Sequence, residues 1–190
     1  MKQLLGVAMC GGQSRRMGTD KGLIMRGGMA WAQIVTSKLS NLQIPVVISI
    51  NPSQYSNYKQ LFDPGSLIMD TLTLQGPLNG LLSVHQARPD ADMIVLACDM
   101  IDMKVVVLQN LIQRYRNEPG FDYYAYHNDH FFEPLCAIYT CAALKALNLK
   151  FDSGGATNFS LQNILINGNT KQLPVDDSES FNNNNEHLTS

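Results

Sequence analysis

Short continuous runs of apolar residues alternate along the first 120 residues with longer segments whose apolar positions recur every three or four residues. The run LLGVAMC at 4–10 is followed by glycines, which is typical of a strand buried on both faces of a sheet. VVISI, which follows Pro45, and MIVLACD at 93–99 predict two further buried strands. The shorter SLIMD predicts a strand that ends at Asp70.

The segments between these runs have helical spacing. They are 29–42, 53–62, 76–87 and 103–117, and in the third of them Pro77 suits the first position of a helix. Strands and helices that alternate in this way form a mostly parallel sheet, because right-handed crossovers carry the helices over its faces. The pattern therefore predicts an α/β fold of three layers, with a mostly parallel central sheet and helices on both faces.

The pattern loosens after Gly120. Residues 121–140 predict two β segments around a polar tip, and the rest predicts helices over 140–149 and 157–166 and a short final strand, KQLPV. A mostly polar tail closes the sequence. Because we find neither an internal repeat nor a linker, we expect one domain over residues 1–190.

The composition excludes several classes of protein. Apolar residues make up 45% of the chain and charged residues 16%, which is ordinary for a globular domain. The net charge of −2 provides no general attraction to nucleic acid or to an acidic membrane surface. No run approaches the roughly 18 to 20 apolar residues of a membrane helix, and the four cysteines lack metal-ligand spacing. We therefore expect a cytoplasmic protein that binds neither nucleic acid nor membrane.

A glycine-rich basic loop, MCGGQSRRMGTDKGL at 9–23, directly follows the first predicted strand. Glycine gives no side chain to pack, so such a loop indicates that a ligand approaches the main chain closely. The spacing fits neither a Walker A loop nor a dinucleotide-binding fingerprint. Two interpretations stay open: a flexible solvated loop, or a cradle of backbone N–H groups that holds a triphosphate, with Arg16 and Lys21 as the cations.

Polar side chains follow three of the predicted strands: Asn51, Asp70 and Asp99. Ligands of open α/β sheets bind beyond the carboxyl ends of the strands, where these residues and the glycine-rich loop are expected to meet. Asp99 suits either a Mg²⁺ ligand or the cap of the following helix. For Asp70 the local pattern favours a turn residue before Thr71.

The glycine-rich loop resembles the signature L-A-G-G-x-S-x-R-M-G-x-D-K of nucleotidyltransferases that activate a phosphorylated acceptor with a nucleoside triphosphate. Within that group, the pair Asp20-Lys21 resembles the molybdenum cofactor guanylyltransferase family. Four further segments are similar to blocks of this family and follow in the same order: GPLNG at 76–80, ACDM at 97–100, EPLCAIY at 133–139 and FNNNN at 181–185.

This resemblance implies a Rossmann-like nucleotidyltransferase fold, with a nucleotide-binding half over 1–120 and an acceptor-binding half and tail over 121–190. It implies that GMP is transferred from GTP to the molybdenum-molybdopterin cofactor, with release of pyrophosphate and formation of the molybdopterin guanine dinucleotide cofactor. Mg²⁺ is the implied cofactor. Transient contact with cofactor-delivery or molybdoenzyme proteins is also expected.

The resemblance also assigns roles by position. Arg16 and Lys21 would neutralise charge on the triphosphate and on the departing pyrophosphate, and Asp99 would hold the Mg²⁺. Asn183 and Asn185 would lie near the phosphates or the pterin acceptor. The implied nucleotide-binding residues are Met9, Cys10, Gly11, Gly12, Lys21, Asn51, Asp70, Gly76, Pro77, Leu78 and Asp99.

Two alternatives remain open at this point. One is a related nucleotidyltransferase that uses CTP or another phosphorylated acceptor. The other is a nucleotide-binding protein without turnover, which is suggested by departures from the family pattern at Ile101 and over 152–162. Pyrophosphate release measured with each nucleoside triphosphate separates the two, because a protein without turnover releases none.

Overall fold

The computed structural model describes residues 2–11, 20–128, 130–153 and 160–181. In chain order the described strands are β1 (Leu4–Met9), β2 (Met25–Arg26), β3 (Met29–Ala30), β4 (Val46–Ile50), β5 (Leu67–Met69), β6 (Asp92–Ala97), β7 (Tyr123–His127), β8 (Phe132–Tyr139) and β9 (Thr170–Pro174). The described helices are α1 (Trp31–Ser40), α2 (Tyr55–Tyr58), α3 (Pro77–Ala87), α4 (Val105–Asn117), α5 (Cys141–Asp152) and α6 (Leu161–Asn167).

Seven of these strands form the central sheet, in the order β5-β4-β1-β6-β8-β7-β9. Within the described sheet, β8 runs antiparallel to both of its neighbours, and every other pairing is parallel. The predicted mostly parallel sheet is confirmed. In its centre, Met9 is in register with Ser49 of β4 and with Ala97 of β6. The residues that follow these three strands therefore emerge together at one edge.

Helices cover both faces of this sheet, as the alternating pattern predicts. Successive residues of β6 point to opposite faces: Ile94 packs into the core that α1 and α4 cover, and Met93 into the core that α3, α5 and α6 cover. Strands buried on both faces are expected to consist of continuous apolar runs. The structure is thus the predicted three-layer α/β fold.

Two predicted helices differ in extent from the structure. Residues 29–30 belong to the small hairpin β2–β3, because Gly27 and Gly28 adopt φ values of 60° and 83° and make the tight turn that left-handed backbone allows. The helix expected over 53–62 is a short 3₁₀ turn, Pro52–Gln54, followed by the single helical turn of α2. The chain beyond α2 is exposed up to Leu61, so no apolar face extends the helix.

Further differences lie at the ends of elements. The helix expected over 157–166 begins at Leu161, where the Ser160 hydroxyl accepts a hydrogen bond from Asn163 N–H, while 157–159 fall outside the described residues. Strand β6 ends at Ala97, two residues before Asp99. Within the described residues, no helix combines the length and the apolar character needed to cross a bilayer.

A buried carboxylate, Asp92, ties two helices to the central strand β6. It is 4% exposed; its Oδ1 accepts from the N–H of Cys141 at 2.7 Å and its Oδ2 from the hydroxyl of Tyr115 at 2.5 Å. We expect Asp92→Ala to lower the free energy of unfolding by about 3 kcal/mol, because hydrogen bonds to charged groups contribute about 1.5–3 kcal/mol and a buried N–H loses its acceptor. Urea denaturation measures this loss.

Asp90→Ala is the matched control for this prediction. Asp90 is exposed and lies two residues away, so its replacement is expected to change the free energy of unfolding by less than about 0.5 kcal/mol. Equal denaturation midpoints for Asp92→Ala and the unmodified chain would contradict the structural role of Asp92.

Candidate functional site

A cavity of about 690 Å³ lies at the sheet edge where β1, β4 and β6 end. Its wall combines main chain from the start of the glycine-rich loop with polar side chains from the strand ends and with apolar side chains at Leu72, Leu74 and Leu135. Nine residues predicted from the sequence line it: Met9, Cys10, Gly11, Lys21, Asn51, Asp70, Gly76, Pro77 and Asp99.

The other predicted site residues are placed differently. The side chain of Leu78 is 1% exposed and packs in the core beneath α3, so only its main chain remains for a ligand contact. Gly12 and Arg16 lie outside the described residues, as do Asn183 and Asn185. Their roles stay predictions.

Lys21 and Asp99 form an ion pair in the cavity wall. Lys21 Nζ lies 3.4 Å from Asp99 Oδ2, and the two side chains are 23% and 18% exposed. Asp99 does not cap the following helix, because α4 begins at Val105 with Lys104 at its N-cap position. The structure therefore brings together a cation and a carboxylate that are 78 residues apart in the sequence.

Asp70 also faces the cavity, so it does more than make a turn. Burial raises the pKa of its carboxyl from 3.8 to about 6, although a 3.4 Å hydrogen bond from the Ser49 hydroxyl acts in the opposite direction. Its backbone N–H donates to the Ile50 carbonyl at 2.8 Å, which fixes it beside the end of β4. This carboxylate changes its charge close to neutral pH.

Two glycines leave room around the Asp70 carboxylate. A Cβ on Gly11 would lie 3.1 Å from Asp70 Oδ2, and a Cβ on Gly80 would lie 2.3 Å from the Ser49 hydroxyl oxygen and 3.2 Å from Asp70 Oδ1. At the start of α3, Gly76 has a φ of 78°, in the left-handed region that favours glycine. Gly11 and Gly80 therefore let the main chain approach Asp70 closely.

Asn51 has a structural role besides facing the cavity. Its Oδ1 accepts from the N–H and the hydroxyl of Ser53 at 3.0 and 2.5 Å, as an N-cap of the Pro52–Gln54 turn. Asn79 also lines the cavity, and its Nδ2 donates to the carbonyls of Leu72 and Leu74 at 2.8 and 3.1 Å and so holds the loop before α3. Both amides fix loops of the wall.

Sequence reasoning missed the roles of several polar residues. Ser49 lies inside an apolar run, and Gln54 lies in a polar stretch that reads as surface, yet they are 0% and 6% exposed. Asp20, which stands beside Lys21 in the glycine-rich loop, accepts hydrogen bonds from the Gln54 amide and the Tyr58 hydroxyl at 2.7 and 3.2 Å. For Asp20 the signal is its place beside Lys21 in the motif, and for Ser49 it is a position at which the resembled family often has Asn. Gln54 carries no such signal.

Two thiols, Cys10 and Cys98, complete the floor of the cavity. A hydrogen bond with the Cys98 thiol and burial raise the pKa of Cys10 well above its usual value, so its thiolate is disfavoured. Among the described residues, no group of three or more His, Cys, Asp or Glu side chains could enclose a metal ion. Mg²⁺ commonly uses only one or two carboxylates together with waters and substrate phosphates, so such a cluster is not required for it.

The arrangement suits a ligand with an anionic end and a flat polar end. Lys21 supplies positive charge beside the start of the glycine-rich loop, while Asp70 supplies a hydrogen-bond acceptor in a lining that also includes Leu72, Leu74 and Leu135. Backbone N–H groups of glycine-rich loops add further donors for anions. The site can therefore bind a polyphosphate at one end and discriminate hydrogen-bond donors at the other.

Comparison with known proteins agrees with this geometry. The chain matches the family described as MobA-like NTP transferase domain over residues 6–165. A probable molybdenum cofactor guanylyltransferase from Nostoc sp. is 32% identical over 160 residues, which are 84% of this chain and 76% of that protein. A molybdenum cofactor biosynthesis bifunctional protein from Synechocystis sp. is 31% identical over 147 residues, and the match spans 75% of this chain and 40% of that longer protein.

Solved structures share the fold. The crystal structure of molybdopterin-guanine dinucleotide biosynthesis protein A from Archaeoglobus fulgidus has a TM-score of 0.72 and 24% identity and covers 95% of this chain and 87% of its own. The structure of CMP:2-keto-3-deoxy-manno-octonic acid synthetase complexed with CTP has a TM-score of 0.65 and 12% identity, with coverage of 91% and 89%. The predicted nucleotidyltransferase fold is confirmed.

Proposed function

Because the chain belongs to the molybdenum cofactor guanylyltransferase family, whose MobA-like NTP transferase domain spans residues 6–165, we propose that it transfers GMP from GTP to the molybdenum-molybdopterin cofactor. The products are pyrophosphate and the molybdopterin guanine dinucleotide cofactor. The observation that carries this proposal is the pairing of Lys21 with Asp99 at 3.4 Å, in the same cavity as Asp70 and the start of the glycine-rich loop.

In the proposed reaction, an oxygen of the acceptor's terminal phosphate attacks the α-phosphorus of GTP in line. The bond from this phosphorus to the oxygen that bridges to the β-phosphate breaks, and pyrophosphate leaves with the electron pair. Such transfers require little covalent chemistry from the protein, so positioning and charge stabilisation dominate. Lys21 lines the cavity and donates to the charge that grows on the leaving group.

The residues present fit a divalent cation shared with the substrate. Mg²⁺ is commonly held by one or two carboxylates together with substrate phosphates, and Asp99 presents a partly exposed carboxylate at the cavity edge. We therefore assign Asp99 as the protein ligand of Mg²⁺, which when bound supplies positive charge to the α-phosphate. Lys21 balances the charge of Asp99 before the substrate arrives.

Nucleoside recognition is assigned to the wall around Asp70. Its carboxylate accepts hydrogen bonds, which suits the N–H groups of a guanine edge or the hydroxyls of a ribose, and Gly76 and Pro77 line the same cavity. Asn51 adds polar atoms at the end of β4. The described residues of the lining lie within 1–120 apart from Leu135, which supports the proposed nucleotide-binding half.

The pKa of Asp70 predicts a pH dependence of GTP binding. With a pKa of about 6, the carboxylate is about tenfold more populated at pH 7 than at pH 5, so affinity for GTP is expected to rise up to about tenfold over this interval. Calorimetric titration with GTP at several pH values measures it. Because GTP itself titrates, the comparison is with Asp70→Asn, which keeps the shape and is expected to flatten the difference.

The same shift acts on stability with the opposite sign. The folded-state pKa of Asp70 lies above its ordinary value of 3.8, so the folded protein binds more protons than the unfolded chain between these values. The contribution of Asp70 to stability is therefore present at acid pH and is lost as pH rises through about 6.

The outcome that would contradict the binding prediction is a pH profile of GTP binding that is the same for Asp70→Asn and the unmodified chain. Equal profiles would remove Asp70 from the binding site.

The direct test is incubation with GTP, Mg²⁺ and the metallated molybdopterin cofactor, followed by identification of the product by mass spectrometry. The expected result is molybdopterin guanine dinucleotide cofactor together with pyrophosphate. Faster pyrophosphate release with CTP than with GTP would mean that CTP is the nucleotide substrate. GTP binding without pyrophosphate release under any acceptor would show a nucleotide-binding protein without turnover.

A further inference from the structure

Gln54 is a buried hub beside the cavity. It is 6% exposed although its neighbours Ser53 and Ser56 are exposed, and its carboxamide makes three hydrogen bonds. Nε2 donates to the Cys10 carbonyl at 2.9 Å and to Asp20 Oδ2 at 2.7 Å, while Oε1 accepts from the N–H of Asn51 at 2.8 Å. Both the nitrogen and the oxygen of the Gln54 carboxamide therefore have hydrogen-bond partners.

Two of the three partners of Gln54, Cys10 and Asp20, lie near the two ends of the glycine-rich loop at 9–23. Cys10 is the residue that follows β1 and opens the loop, and Asp20 is the residue at which the chain enters the 3₁₀ turn Lys21–Leu23. The Gln54 side chain thus links the main-chain carbonyl of Cys10 to the carboxylate of Asp20, ten residues further along the sequence. Asn51, at the end of β4, fixes Gln54 through the Pro52–Gln54 turn.

Asp20 passes this restraint on to Lys21. Its Oδ1 accepts from the N–H of Gly22 at 3.0 Å and from the Tyr58 hydroxyl at 3.2 Å, while Oδ2 is held by Gln54. The carboxylate therefore fixes the turn that starts at Lys21. These three hydrogen bonds hold the Asp20 side chain in place and so fix the backbone from which Lys21 reaches Asp99.

We propose that Gln54 is a positioning residue, which clamps the two ends of the glycine-rich loop and so holds Lys21 at its working distance from Asp99. The proposal rests on the proposed function, because it assigns Lys21 to the transfer step. An amide is required at this position, since the site offers two acceptors and one donor. A carboxylate would set oxygen against the Cys10 carbonyl and the Asp20 carboxylate.

Gln54→Glu tests the clamp with an almost unchanged side-chain shape. At pH 8 we expect kcat for pyrophosphate release to fall about tenfold to hundredfold, with a smaller change in KM for GTP, because Lys21 is displaced while the cavity remains. Two facing carboxylates share a proton more readily as the pH falls. The activity of Gln54→Glu relative to the unmodified chain is therefore expected to recover towards pH 5.5.

Gln60→Glu is the matched control. Gln60 is exposed, and its amide contacts the Ser56 carbonyl at the surface, so the same change of charge there is expected to leave kcat, KM and the pH profile unaltered. A purely structural role of Gln54 would lower the folded fraction, as followed by circular dichroism. Because acid also relieves the repulsion in a partly unfolded variant, kcat is expressed per folded protein. A purely structural role leaves this value normal at pH 8, whereas displacement of Lys21 lowers it.

Exchange of donor and acceptor gives a second test. In Gln54→Glu combined with Asp20→Asn, the new amide at position 20 can donate to the new carboxylate, so activity and folding are expected to exceed those of Gln54→Glu alone. If Gln54→Glu alone does not fold, the double variant provides the test of the clamp in its place. Normal kcat in Gln54→Glu at pH 8, or no gain in the double variant, would overturn the clamp. Absence of pyrophosphate release by the unmodified chain would instead refute the proposed function.

Discussion

Lys21→Ala is expected to lower the rate of pyrophosphate release from GTP by about 100- to 1000-fold, which is the usual cost of removing one group that stabilises transition-state charge. The ammonium lines the cavity 3.4 Å from Asp99 Oδ2, on a turn that Asp20 caps. Among the described cations, Lys21 lies nearest to Asp99 and to the start of the glycine-rich loop, where the proposed reaction places the phosphates. Steady-state kinetics with a coupled pyrophosphate assay measures the loss.

The fold is expected to survive this substitution. Partly exposed ion pairs contribute about 0–1 kcal/mol, and the Lys21 side chain is 23% exposed. Lys21→Arg is expected to retain part of the activity, because it keeps the charge but presents it in a planar, bulkier group. Lys59→Ala, on the exposed surface next to α2, is the control that should remain fully active. Turnover near the normal rate in Lys21→Ala would remove Lys21 from the chemistry.

The strands and the sheet edge could be predicted because each depends on a short-range pattern. Apolar runs that end at Asp70 and Asp99 mark strands, and a parallel arrangement places the residues after such strands at one edge. The structure confirms that Asn51, Asp70 and Asp99 line one cavity. The Gly27–Gly28 hairpin also had a local signal, since paired glycines favour two-residue turns, and the helical spacing that follows obscured it.

The clamp and the environment of Asp70 could not be predicted, because they depend on contacts between distant segments. Gln54 meets Cys10 across 44 residues and Asp20 across 34, and nothing in its own polar neighbourhood separates it from a surface glutamine. Ser49 reads as a small residue in an apolar strand until Asp70 is placed against it. Burial of polar groups follows from strand order and loop packing, which one sequence does not encode locally.

Asp99→Asn is expected to reduce the transfer by about 100- to 1000-fold and to raise the Mg²⁺ concentration needed for half-maximal rate. The amide keeps the size of the side chain but loses the charge that the proposal assigns to binding Mg²⁺. Titration of the rate with Mg²⁺ at saturating GTP separates this effect from nucleotide binding. Lys21→Ala should lower the rate without raising the Mg²⁺ requirement, because it removes the cation that pairs with Asp99.

Asp102→Asn is the matched control for Asp99→Asn. Asp102 lies three residues further along, pairs with Arg26 at 2.8 Å and is 37% exposed, so its loss should alter neither rate nor Mg²⁺ requirement.

The variant that combines Lys21→Ala with Asp99→Asn tests whether the pair acts as a unit. Residues that act together show strongly non-additive losses, so the double variant should be little slower than either single one. Fully multiplicative losses would mean that Lys21 and Asp99 act independently, despite their contact.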